Sequence, residues 1–201
     1  YYEELETFHF ANGPFLEVVD AFEQSNSLKT LVEEGLLSPL FSDLLINDQD
    51  QYTRKLYTHQ EDAIRKALAD QNMVVTTGTG SGKTECFLYP ILHHLLEENR
   101  NKTLCPGVRV LLLYPMNALA NDQMKRLRGL LATYPEITFG AYTGETEATY
   151  TRALDAYRNL HNNEEPLPNE LISREQMKEQ PPHILVTNYA MLEYLLLRPT
   201  D

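Results

Sequence analysis

Val74-Val75-Thr76-Thr77-Gly78-Thr79-Gly80-Ser81-Gly82-Lys83-Thr84 is the stretch that decides how this chain is read. It follows a short β-branched run, Asn72–Thr77, expected as a strand, and it opens an amphipathic pattern expected as a helix through about Glu98. Glycines at 78, 80 and 82 let the backbone bend so that successive amide N–H groups point inward. The start of the following helix adds its partial positive charge. Lys83 is placed to reach the β- and γ-phosphates of a nucleoside triphosphate, and the Thr84 hydroxyl to ligate Mg²⁺. The expected phosphate cradle is Thr77, Gly78, Thr79, Gly80, Ser81, Gly82, Lys83 and Thr84, with Lys83 and Thr84 nearest the chemistry.

Working outward, buried strands alternate with helices. Val108–Tyr114 is a continuous apolar run, expected as a strand buried on both faces. Asn117–Ala132 reads as a helix, Ile137–Tyr142 as a strand, Glu147–Leu160 as a helix and Glu164–Pro168 as a loop. Ser173 caps a short helix ending before Pro181-Pro182. Ile184–Thr187 reads as a strand and is followed by a helix through about Leu197. Upstream, Thr58 is expected to cap a helix through about Ala69 that turns Ala63, Ile64 and Ala67 inward. Such alternation implies an α/β fold with a parallel sheet flanked by helices.

Residues 1–50 differ. They hold eleven acids against one lysine, which accounts for most of the net charge of −12. The remainder is nearly neutral, so the total does not bar contact with phosphates. We expect short helices here: one opened by Pro14 over 15–22, one capped by Ser27 and ending near Gly35, and one opened by Ser38-Pro39 carrying Phe41, Leu44 and Leu45. Asn47–Gln51 reads as a polar linker. The two cysteines, Cys86 and Cys105, have no metal-like spacing, and a reducing cytoplasm is the expected setting. No apolar run approaches a membrane span.

Four further stretches give a family resemblance. Leu56-Tyr57-Thr58-His59-Gln60 resembles an adenine-reading Q motif, with Gln60 offering donor and acceptor together and Tyr57, or Tyr52, available to stack on the base. Tyr114-Pro115-Met116-Asn117-Ala118-Leu119-Ala120-Asn121-Asp122-Gln123 resembles motif Ia. Tyr142-Thr143-Gly144-Glu145-Thr146 resembles the strand-end glycine motif, and Ile184-Leu185-Val186-Thr187-Asn188-Tyr189-Ala190-Met191-Leu192 resembles motif Ib. Taken in order, over about residues 52–199, they resemble the first RecA-like lobe of a superfamily 2 DEAD/DEAH-box helicase. The wording is similar to large bacterial Lhr-like, MrfA-like and DISARM-type defence helicases. Thr77 stands where the general P-loop has Gly, a departure this superfamily tolerates.

The resemblance implies ATP and Mg²⁺ as cofactors and nucleic acid as partner, DNA before RNA, held by Pro115, Asn117, Thr143, Gly144, Thr187 and Asn188. Asp122, Lys125, Arg126 and Arg128 are expected mostly to face solvent. It also implies coupling of ATP hydrolysis to movement on a strand, with DNA repair or phage defence as the setting. Residues 1–50 are expected either to dock a partner protein of a repair or defence complex or merely to cover the lobe. No Asp-Glu-x-His or Asp-Glu-Ala-Asp stretch follows Thr187. We therefore expect residues 51–201 to be a partial lobe, cut before motif II and inactive alone, with 147–180 as an insert. Two other readings stay open: a nucleotide-gated module that never hydrolyses, and a small-molecule kinase, for which no lid or acceptor signal is found.

Overall fold

The structure, a computed structural model, describes residues 21–197. A parallel sheet forms its centre. It comprises β3 (Val110–Tyr114), β4 (Phe139–Tyr142), β5 (Glu170–Leu171) and β6 (Ile184–Asn188), in the order β3-β6-β4-β5. Registers run Val110↔Ile184 through Tyr114↔Asn188, and Phe139↔Ile184 through Tyr142↔Thr187. Three strands therefore end side by side at Tyr114, Asn188 and Tyr142. Between β4 and β5 the backbones approach so closely that a Cβ on Gly140 would sit 2.7 Å from the Leu171 carbonyl oxygen.

Side chains alternate across this sheet with the period of two that strands impose. Leu112, Phe139, Ile184 and Val186 enter the main core. Leu171, Leu185 and Tyr142 turn to the opposite face, where they meet Met177 and Met191. The main core receives α6 (Asn117–Leu131), with Ala120, Met124, Leu127, Leu130 and Leu131 buried at helical spacing. It also receives α5 (Lys83–Arg100), which buries Leu88, Tyr89, Leu92, Leu95 and Leu96. The opposite face carries α8 (Arg174–Glu179) and α9 (Tyr189–Leu197). An additional helix, α7 (Tyr150–Leu160), precedes β5.

The described part of the acidic extension is built into the same core. β1 (Gln24–Ser27) pairs antiparallel with β2 (Lys55–Tyr57). Next come α1 (Leu28–Glu33), capped by the Ser27 side chain, then α2 (Phe41–Leu44) and α3 (Gln49–Thr53). Leu28, Leu31 and Phe41 are fully buried, and Phe41 meets the Tyr89 ring edge-on at 6.3 Å. The Ser38 backbone amide donates to His93 Nδ1 at 3.0 Å and Gln51 Nε2 to the Tyr89 hydroxyl at 3.0 Å. Glu61, near the start of α4 (Thr58–Leu68), fastens β1. Burial pushes its carboxyl up, but bonds from the Ser25 hydroxyl, the Asn26 backbone, Arg65 and the Asn26 side chain outweigh that and hold it at about 2.

Several expectations are corrected. Residues 72–77 form no strand: Val74 is 90 % exposed and the segment has no ladder partner. β3 is buried on one face only, since Leu111 and Leu113 are exposed. The expected linker 47–51 is instead largely helical, because the Asp48 carboxylate accepts the Gln51 amide and caps α3. The cap of α4 is closed by Gln60 rather than by Thr58, whose hydroxyl donates to the Glu23 carbonyl. The helix expected over 15–22 lies outside the described residues but for its last two positions, which are not helical. Antiparallel β1–β2 and strand β5 were not expected; they are four residues long or shorter.

Candidate nucleotide and strand site

The loop before α5 has the curvature its glycines permit. Gly80 and Gly82 sit at φ +76° and +72°, where L side chains are strained. A Cβ on Gly82 would also lie 2.3 Å from Gln60 Nε2 and 2.9 Å from Glu85 Oε2. On Gly78 and Gly80 a Cβ would meet nothing within 4 Å, so the loop is open above these two residues. Lys83 Nζ donates to the carbonyls of Thr77, at 2.9 Å, and Gly78, at 2.7 Å, which places the ammonium at that opening. Thr77 and Ser81 share a hydroxyl–hydroxyl bond of 2.5 Å, with Ser81 fully buried. Thr77 thus has a use that Gly in its place would lack: it ties the two ends of the bend.

Two consecutive residues of α4 hold this loop from below. His59 Nε2 donates to the Ser81 carbonyl at 2.9 Å and Gln60 Nε2 to the Gly82 carbonyl at 3.0 Å. Gln60 Oε1 accepts the Tyr57 amide at 2.8 Å. Both ends of the Gln60 amide are thus engaged by the chain's own backbone, and reading of an adenine edge requires these bonds to exchange. The half-buried Tyr57 ring stacks on His59 at 5.7 Å, and Phe22 lies against both rings at 5.2 and 5.6 Å. Tyr52 is buried in the main core and is not available to stack on a base.

At the carboxyl ends of β3, β6 and β4 a second polar group assembles. Asn188 Nδ2 donates to Asn117 Oδ1 at 2.7 Å, and Asn117 Nδ2 donates to Glu145 Oε1 at 2.9 Å. Asn188 Oδ1 also accepts the Met191 amide at 2.7 Å, which fixes the start of α9. Open parallel sheets present ligands at this edge. Pro115 and Gly144 are exposed beside the group. Thr143 and Thr187 are corrected. Both are buried, and Thr187 Oγ1 donates to the Tyr142 carbonyl at 2.5 Å, so their side chains brace the strand tips instead of facing outward.

Two cations expected in solvent are also corrected. Arg126 pairs with Glu85 in the first turn of α5. Arg128 donates from Nε to both Glu170 oxygens, at 2.8 and 2.9 Å, and lies over the Tyr157 ring at 5.3 Å. Glu170 is 1 % exposed at its side chain, so removing Arg128 would leave a buried charge unpaired. Arg174, on α8, donates to the Thr146 and Thr143 carbonyls at 2.9 and 3.2 Å and thereby joins segment 147–180 to the strand-end loop. His59, Glu85 and Glu145 each stand inside or next to a motif, yet spacing alone gave no sign of their partners.

An open α/β sheet with a phosphate-type loop and a polar group on its strand tips has the architecture of a RecA-like lobe. The family model for DEAD/DEAH box helicases matches residues 57–200, and the chain belongs to that family. It is 28 % identical to the Druantia protein DruE of Escherichia coli (strain UMEA 4076-1), over 95 % of this chain and 15 % of that protein. It is 33 % identical to the ATP-dependent helicase hrq1 of Schizosaccharomyces pombe (strain 972), over 56 % of this chain and 10 % of hrq1. The fold matches the helicase MrfA bound to DNA and AMPPNP with a TM-score of 0.61 at 22 % identity, covering 89 % of this chain and 20 % of MrfA. The chain therefore spans a tenth to a fifth of the length of these relatives. Among the described residues no helix is long and apolar enough to cross a membrane. No group of three or more His, Cys, Asp or Glu among them could hold a metal.

Proposed function

We propose that this chain is the ATP-binding part of an ATP-dependent DNA helicase or translocase, and that the asparagines on its strand tips grip the nucleic-acid backbone. The observation that carries the reading is the Asn188–Asn117–Glu145 chain of bonds. It gathers one residue from each of three separate motifs onto one edge of the sheet. Asn117 opens α6, so its side chain and the helix's first amides face the same ligand.

The nucleotide half follows from the loop. Phosphate oxygens offer Lys83 a stronger, charge-assisted acceptor than the Thr77 and Gly78 carbonyls it now holds. The amides of the bend, from Gly78 to Thr84, supply further donors. Tyr57, half-buried beside Gln60, is the ring placed to meet a base. Thr84 is the residue that would hold Mg²⁺, which would supply positive charge to offset that of the phosphates. Residues 1–50 form an acidic extension and 51–201 the motor part. DNA repair or phage defence in the cytoplasm is the setting we propose.

The strand reading is tested by the double substitution Asn117→Ala with Asn188→Ala in the intact native protein. We expect affinity for a fluorescent single-stranded DNA to fall about ten-fold at moderate salt, from loss of roughly 1.4 kcal/mol of backbone contact. Anisotropy titrations against single-stranded DNA, duplex DNA and RNA would read it. Affinity equal to the parent on all three would remove the strand-tip group from the interface.

A further inference from the structure

The phosphate loop opens α5 and Asn117 of the strand-tip group opens α6, and one ion pair joins those helices near the loop. Glu85 follows Thr84 directly and occupies the first turn of α5. Its partner, Arg126, lies on α6, whose first residue is Asn117. A helix of 15 residues with six of them buried moves as a rod, so a shift at Arg126 is carried to Asn117.

The pair is unlike its neighbour, Arg128–Glu170. There both carboxylate oxygens are satisfied by the arginine and by the Tyr157 hydroxyl. In Glu85 only Oε1 is bonded, while Oε2 is buried without a hydrogen-bond partner. That free oxygen points at Gly82, where Gln60 Nε2 also converges. A buried carboxylate with one oxygen unpaired is sensitive to any displacement of the donors around it. One such donor, Gln60 Nε2, belongs to a residue that holds the phosphate loop.

We propose that the Arg126–Glu85 pair couples occupancy of the nucleotide loop to the grip of Asn117 and Asn188 on nucleic acid, with Arg126 a positioning residue that touches neither ligand. The inference rests on the nucleic-acid reading given above. A change in the bend at Gly82 moves Glu85, Glu85 carries Arg126 with it, and α6 transmits the shift to the strand tips. Because coupling is reciprocal, a bound strand biases the loop by the same factor.

The test uses the intact native protein and measures affinity for a 20-nucleotide single-stranded DNA with and without saturating AMPPNP and Mg²⁺. In the parent the two affinities should differ by about five-fold or more, the usual range for coupled sites. In Arg126→Met the ratio should fall to within about two-fold of one, while affinity for DNA alone and for AMPPNP alone each stay within about three-fold of the parent. Arg126→Lys should restore part of the ratio. Glu85→Gln, which keeps shape and removes charge, should lose it as Met does. A parental ratio in both Arg126→Met and Glu85→Gln overturns the coupling. So does loss of both separate affinities together with a lowered melting temperature in all three variants, which would make the pair a structural clasp. Absence of DNA binding by the parent would instead overturn the nucleic-acid reading itself.

Discussion

Replacing Lys83 with Ala should reduce ATP hydrolysis by the intact protein roughly 100-fold or more, through loss of the only ammonium placed at the mouth of the loop among the described residues. The expected loss is electrostatic. Phosphoryl transfer concentrates negative charge on oxygens that the protein must meet with fixed donors, and a backbone amide cannot replace a full positive charge. Lys83 is half-buried, so its removal should leave the fold intact and a thermal melt close to the parent. Arginine at this position would not rescue the loss, because a planar fork cannot occupy the space of a compact ammonium held between two carbonyls. Steady-state phosphate release would measure the effect. A variant that hydrolyses ATP within a few-fold of the parent would place the nucleotide elsewhere.

The second large effect concerns the acidic extension. Phe41→Ala should lower stability by about 3–5 kcal/mol, the range for removing a fully buried aromatic side chain. Phe41 packs edge-on against Tyr89, and Tyr89 belongs to the helix that the phosphate loop opens. Destabilisation should therefore weaken nucleotide binding as well. Ile46→Ala, close by but 59 % exposed, should change stability by about 0.5 kcal/mol or less. Urea unfolding of the two variants side by side would separate an integral segment from a loose covering. Equal, small losses would mean that residues 21–50 merely lie on the lobe.

Much of the fold was legible because β3, β4 and β6 are largely apolar runs and some of the helices carry side-chain caps. Ser27, Gly35 and Ser173 mark element ends as their chemistry requires. The stretch 72–77 misled because β-branched residues report a preference for extended backbone, whereas a strand needs a neighbour to pair with. Val74 has no such neighbour among the described residues. Arg126 and Arg128 read as solvent-facing because their partners stand 41 and 42 residues away, and nothing local announces them. Thr143 and Thr187 are expected to hold nucleic acid, yet both side chains are buried. A residue at the end of a strand can point inward, and only the register decides which.

The candidate site divides in the same way. The phosphate loop is a local motif, so the bend at Gly80 and Gly82, both at positive φ, follows from the glycine spacing. The grip of His59 and Gln60 on successive carbonyls of that loop is a contact across 22 residues, visible only once α4 is packed beside α5. The strand-tip asparagines are similar. Each was legible as a motif residue, but the chain from Asn188 through Asn117 to Glu145 exists only because the sheet order brings β3, β6 and β4 together.

The central claim, that the lobe links a nucleotide site to a nucleic-acid track, is tested most directly by ATP hydrolysis of the intact native protein measured with and without single-stranded DNA and RNA. We expect single-stranded DNA to raise the rate about ten-fold or more, a change of roughly 1.4 kcal/mol in the barrier, and RNA to raise it less. A rate that is the same with DNA, with RNA and with neither would contradict the account.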